Sequence, residues 1–210
     1  MAKENAEGSS RTIVELTSRQ EEVLVGTLLG DGCLAQHGRH HRLHIKHKSA
    51  HRSLAELKYQ AFEAFVSMPL HEFDQRLRGG AFPCVQFATR THPVFSKWHS
   101  YFYRGGRKIV PRGIGSYLSG LSMAVWFMDD GAADYAGATL QTHNFSADEV
   151  ELLVSLLRRK FELEVNSRRN KGKRIIYVKA SSMNALRELI EPHLLREFDY
   201  KLVPRRSRTP

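Results

Sequence analysis

Two kinds of apolar pattern recur along the chain. Continuous apolar runs occur at LVGTLLGDG (Leu24 to Gly32) and MAVWFMDDG (Met123 to Gly131), and each closes on Asp-Gly. Runs of this kind predict helices that stop at the glycine, which accepts a left-handed C-cap, here Gly32 or Gly131. Period-two alternation follows each run. In RLHIKH, Leu43 and Ile45 alternate with Arg42, His44 and Lys46, and Leu140 to His143 holds the same place in the second half. That alternation predicts strands with one apolar face. A serine, Ser49 or Ser146, then stands where a helix N-cap belongs. Ser146 has Glu149 three residues on, a capping box, and Val150, Leu153, Val154 and Leu157 follow at helical spacing. Ser18 with Glu21 predicts the same box ahead of the first run.

The later elements repeat as well. Cys84 to Arg90 and Ile175 to Ser181 read as strands. Arg78-Gly79-Gly80 and Asn170-Lys171-Gly172-Lys173 supply the hairpin turns before them, the latter joining Val165–Arg169 to Arg174–Lys179. Closing helices follow at Pro93–Tyr103 and Met183–Leu195. The order is α-β-β-α-β-β-α, twice, and Asp31 and Asp130 stand 99 residues apart. The expected fold class is α+β, with two pseudosymmetric halves on one chain. Expected boundaries are a polar tail at 1–12, a first half at 13–104, a basic Gly-rich linker at 105–116, a second half at 117–204 and a basic tail at 205–210.

Gly26 and Gly30 lie one turn apart on the first apolar helix, and Gly120 and Ala124 share that spacing on the second. Glycine costs about 1 kcal/mol against alanine inside a helix. Close approach of two helices is the usual reason to accept that cost. Parallel packing across a pseudo-two-fold axis would bring Asp31 and Asp130 side by side at the helix C-termini. Carboxylates there repel each other and the helix dipole. A hard divalent cation, Mg²⁺ first and Mn²⁺ or another divalent ion in its place, is the natural compensation.

Charge sharpens the picture. The 210 residues carry a net charge of +10, which favours a polyanionic partner, nucleic acid before membrane. No apolar run is long enough to cross a bilayer and no secretory signal is visible. An intracellular setting is expected, organellar matrix or prokaryotic cytoplasm. The two cysteines, Cys33 and Cys84, make neither a disulfide framework nor a zinc site. The histidines His37, His40, His41, His44, His47 and His51 lack finger spacing.

With both motifs in view, the tract from about residue 20 to 204 resembles the LAGLIDADG homing endonucleases, in the single-chain, two-motif branch typified by the yeast mitochondrial omega-intron endonuclease. LVGTLLGDG keeps the glycine and acid of the family pattern. MAVWFMDDG departs from it, with Val125 for a mid-helix glycine and Asp129 for a small residue. The resemblance implies a saddle-shaped, site-specific DNA endonuclease that cuts both strands of double-stranded DNA, with the motif helices forming the interface between halves. It implies metal-binding catalytic acids at Asp31 and Asp130, with the carbonyls of Gly30 and Asp129 as further ligands. It also implies basic groups near the scissile phosphates, in the stretches Arg107 to Pro111 and Tyr200 to Pro204, hence Lys108 and Lys201. Two motifs on one chain imply a monomer with no obligate protein partner.

The polar faces of the strands are the expected DNA surface. Candidates are Arg42, His44, Lys46, Arg76, Arg78, Gln86, Ala88 and Arg90 in the first half, and Gln141, His143, Arg168, Asn170, Arg174, Tyr177 and Lys179 in the second. A group I intron RNA maturase and a non-catalytic DNA-binding regulator on the same fold remain alternatives.

Overall fold

The computed structural model describes residues 15–203, so the expected tails and Pro204 lie outside the described residues. The first half runs α1 (Ser18–Leu29), β1 (Cys33–His37), β2 (His40–Lys48), α2 (Arg52–Ala61), β3 (His71–Leu77), β4 (Gly80–Ala88) and α3 (Pro93–Phe102). A small hairpin follows, β5 (Tyr103–Arg104) and β6 (Arg107–Lys108). The second half runs α4 (Gly120–Asp130), β7 (Gly131–Asp134), β8 (Gly137–Gln141), α5 (Ala147–Phe161), β9 (Val165–Asn170), β10 (Lys173–Val178) and α6 (Met183–Ile190). The duplicated α+β order is therefore present. Each half builds one antiparallel four-stranded sheet, β1-β2-β4-β3 and β7-β8-β10-β9, with the same topology. Among the described residues no helix is long and apolar enough to cross a membrane.

The core is continuous through both halves because α1 and α4 pack on each other at its centre. In α4 every residue from Leu121 to Met128 is buried. A helix that is apolar all round needs partners all round. Here α1 lies on one side, β8 on another and α6 on a third. The glycines of α1 make the close approach possible. A Cβ on Gly26 would come within 2.8 Å of the Val125 Cβ, and one on Gly30 within 2.6 Å of the Asp129 Cβ.

Several local details differ from the sequence expectations. Gly120 does not face α1; it packs on the Leu189 carbonyl and His193, so α4 meets α1 through Ser122, Val125 and Asp129 instead. The α1 capping box sits one residue earlier, between Thr17 and Gln20, because Ser18 is already helical. Ser49 opens a 3₁₀ turn, and α2 starts only at Arg52. The Ser146–Glu149 box caps α5 as expected. Neither Gly32 nor Gly131 is left-handed: α1 ends on Gly30, and Gly131, at φ −80° and ψ 150°, passes directly into β7. The segment 105–116 is pinned by its own side chains, with Val110 buried at its centre and Ile114 buried in a 3₁₀ turn.

Candidate active site

The two helix tips adjoin, each gripped by a lysine. The last carbonyls of a helix have no partner inside it and carry its negative dipole end, so an ammonium group is a favourable cap. Lys108, on β6, places its Nζ 3.1 Å from the Gly30 carbonyl and 2.7 Å from that of Gly32. Lys201 places its Nζ 3.2 Å from the Asp129 carbonyl and also bonds that of Met128. Gly30 and Asp129 are equivalent positions of the repeat, so the two lysines repeat each other's contact. Burial pulls both lysines below the ordinary value, and the neighbouring aspartates oppose that pull.

Asp31 and Asp130 flank these carbonyls. Asp31 is exposed; Asp130 is the half-buried last residue of α4. Their charges act on each other. Burial, then Asp31 and Asp129, push Asp130 up to about 7. Two carboxylates and a third behind them, with only lysines to offset them, form a set that gains from a divalent cation. The donor chemistry, all carboxylate and carbonyl oxygen, fits Mg²⁺ or Mn²⁺. Each of the Gly30 and Asp129 carbonyls accepts from a lysine, which leaves one lone pair for an ion.

The first acid of the Asp129-Asp130 pair has a different task. The Asp129 carboxylate is fully buried and lies in the gap left by Gly30. It reaches across to the first half, where Lys58 Nζ of α2 sits 2.7 Å from both of its oxygens. Lys58 is also fully buried and lies 3.2 Å from His47 Nε2. Ammonium can only donate, so that imidazole nitrogen accepts. Burial and the adjacent Lys58 push His47 down to about 2, which keeps it neutral. Asp31, His47 and Asp129 have ligand atoms within 4.8 Å of one another, yet the ammonium on both Asp129 oxygens already fills the role of a cation there. The sequence reading missed Lys58 and the Asp129 side chain. The available signal was Lys58 on the buried stripe of α2 with Leu54 and Ala55.

Strand register sorts the expected DNA-facing residues. In the first sheet Lys46 pairs with Gln86, Gln86 with His71, and Arg42 with Ala35. His44, paired with Ala88, shares that outward face. Arg76 does not: it pairs with Ala81 and falls on the face of Val85, one residue out of phase. Arg78 lies in the hairpin turn, and Arg90 lies beyond β4 with its guanidinium on the Ala64 carbonyl. In the second sheet Gln141, Arg168 and Tyr177 share a face, with Asn170 at its edge. The Arg168 guanidinium stacks 3.1 Å from the Tyr177 ring centroid and pairs with Asp134. Arg174 is on the opposite face, with Ile176, bonded to Ser167 and directed toward Glu151 of α5. His143 lies in a turn after β8, and Lys179 pairs with Glu164 past the end of β10.

Two like sheets thus flank a centre of paired acids and lysines at the ends of two repeated motif helices. The profile of the LAGLIDADG DNA endonuclease family matches residues 21–186, and the chain belongs to that family. It is 31% identical over 198 residues to a probable intron-encoded endonuclease of Wickerhamomyces canadensis, spanning 90% of this chain and 85% of that protein. It is 28% identical over 193 residues to the cytochrome b mRNA maturase bI2 of Debaryomyces hansenii, spanning 86% of this chain and 72% of that protein. The structure of the homing endonuclease I-WcaI bound to its DNA recognition sequence superposes with a TM-score of 0.85 at 29% identity, over 92% of this chain and 89% of that one. I-DmoI in complex with DNA and Mn, at 11% identity and a TM-score of 0.52, shares the fold.

Proposed function

We propose that this homing endonuclease hydrolyses one phosphodiester on each strand of a long, asymmetric DNA target, working as a monomer with divalent metal. The observation that carries the reading is the meeting of the two helix tips, with Asp31 and Asp130 beside them and Lys108 and Lys201 on the adjoining carbonyls. Asp31 and Asp130 would hold Mg²⁺ or Mn²⁺. When bound, such an ion polarises phosphate oxygen and lowers the pKa of water. Lys108 and Lys201 stand next to the acids, where an ammonium can offset the negative charge that grows on a scissile phosphate. Their carbonyl contacts fix that ammonium beforehand, so little reorganisation accompanies the reaction.

Duplex recognition is proposed for the outward sheet faces. Arg42, His44, Lys46 and Gln86 serve the first half-site, and Gln141, Arg168, Asn170 and Tyr177 the second. The two faces differ in sequence, which suits an asymmetric target. Selection of cleaved sites from a randomised plasmid pool in Mg²⁺ tests the reading. Asp31→Asn and Asp130→Asn are expected to bind the selected site and make no double-strand break; unchanged cleavage by either overturns it. Similarity to a maturase supports a second reading, RNA splicing support on the same chain. Splicing of the host intron RNA with and without the protein decides that one.

A further inference from the structure

Burying a lysine and an aspartate together is costly, and an apolar pair of similar volume is often as stable. The second half does not repeat the pair. Ninety-nine residues beyond Lys58 stands Leu157, also fully buried on the equivalent helix α5, and the repeat equivalent of Asp129 is Gly30. No charged pair therefore stands at the repeat-related positions. What Asp129 gains by its carboxylate is a bond to the catalytic turn: the Asp31 N–H donates to Asp129 Oδ2 at 3.3 Å. Lys58 fixes both Asp129 oxygens, and His47 Nε2 accepts a further hydrogen bond from the Lys58 ammonium. The chain of contacts runs from His47 through Lys58 and Asp129 to the backbone of Asp31. Asp130 has no such support, because Gly30 has no side chain to offer.

We propose that Lys58 and Asp129 are positioning residues for Asp31 alone, so that the two strand-cutting centres of this enzyme are unequally supported. The inference rests on the reading of Asp31 and Asp130 as metal-holding acids. Removing the acceptor for the Asp31 N–H should loosen that acid and slow one strand. Lys108 grips the Asp31 turn, so the affected strand is the one slowed by Lys108→Met and not the one slowed by Lys201→Met.

The test measures strand-resolved cleavage of the selected target, labelled on both strands, together with Mn²⁺ titration of the DNA-free protein by electron paramagnetic resonance. Lys58→Leu with Asp129→Ala removes charge and acceptor together. Lys58→Met with Asp129→Asn removes the charges and keeps an amide oxygen for the Asp31 N–H. The Leu/Ala pair is expected to slow the Lys108-dependent strand about tenfold or more, with weaker Mn²⁺ binding, in line with the usual effect of outer groups on a metal site. The Met/Asn pair is expected to restore most of the strand ratio and of the Mn²⁺ affinity. Equal slowing of both strands by both pairs, or an unchanged ratio in the Leu/Ala pair, overturns the proposal. If the Leu/Ala pair does not fold, amide exchange at Asp31 in the Met/Asn pair decides: retained protection supports it, and lost protection with an unchanged strand ratio overturns it. Cleavage that survives Asp31→Asn in the otherwise native protein would instead sink the underlying site assignment.

Discussion

The two central helices solve one packing problem with opposite residues. On the axis, Gly26 of α1 meets Val125 of α4, and Gly30 meets Asp129. Each pair consists of positions 99 residues apart, so each helix touches its own repeat equivalent. Strict symmetry would put small residues on both sides. Here α1 stays small and α4 fills the space. Off the axis the halves agree: Asp31 and Asp130 end the motifs, and Lys108 and Lys201 grip equivalent carbonyls. The comparison teaches that duplication is kept at the two helix tips, and is broken where two side chains would claim one space.

The largest stability effect is expected from breaking the pair that only one half possesses. Lys58→Leu alone leaves the Asp129 carboxylate buried without its cation, which should cost about 3–5 kcal/mol. Chemical denaturation measures it. Adding Asp129→Ala should recover much of the loss. No recovery would mean that the ion pair stabilises the fold in its own right.

The axis contacts come next. Gly26→Val places a branched side chain against Val125, and overpacking of a tight core costs about 1–3 kcal/mol. Exchanging the residues, Gly26→Val with Val125→Gly, should return part of that loss, because total volume on the axis is restored. If the exchange is no better than the single variant, the Ser122 carbonyl of α4, the first atom that a Cβ on Gly26 meets, sets the cost and not the Val125 side chain.

A smaller effect separates the acids. Native Asp130 keeps its proton up to about 7, whereas its ordinary value is 3.8, so its contribution to stability falls as pH rises between those values. If Asp130 holds a divalent ion as proposed, the ion binds the ionised form and below about pH 7 must displace that proton. The gain in melting temperature on adding Mg²⁺ should therefore be larger at pH 8 than at pH 6. Asp130→Asn should remove the pH dependence of that gain. His47, pushed down to about 2, stays neutral in the folded chain at both pH values; the unfolded chain protonates it near 6.5, so it lowers stability toward pH 6 equally with and without Mg²⁺ and drops out of the gain.

Much of this was legible in the sequence because repeated patterns report repeated elements. The order of helices and strands and the Ser146 cap followed from periodicity and capping chemistry, whereas the ends of the motif helices did not fall on left-handed glycines. Gly26 and Gly30 announced a close approach, but the partner face was misread: Gly120 matched their spacing, while Ser122, Val125 and Asp129 point at α1. Small residues mark tight packing without saying against what. The buried Lys58–Asp129 pair escaped because its members lie 71 residues apart and each, alone, looks like a surface charge. Strand parity was the other weak point, since a hairpin read one residue out of phase moves a side chain to the opposite face.

That parity gives the smallest and most local test. Lys46 and Arg76 are both exposed basic residues on the first sheet. Composition alone treats them as equals. Register does not: Lys46 shares its face with Gln86 and His44, whereas Arg76 shares that of Val85. If DNA lies on the outward face, Lys46→Ala should weaken binding and lower the slope of log affinity against log salt by about one counterion. Arg76→Ala should leave the slope unchanged. A matching pair exists in the second half, where Arg168→Ala should act like Lys46→Ala and Arg174→Ala like Arg76→Ala, apart from any stability lost with the Ser167 contact. Filter binding of the selected duplex across a salt series measures all four. Equal slopes for Lys46→Ala and Arg76→Ala would mean that the duplex reaches round the sheet edge, and the face assignment drawn from register would have to be abandoned.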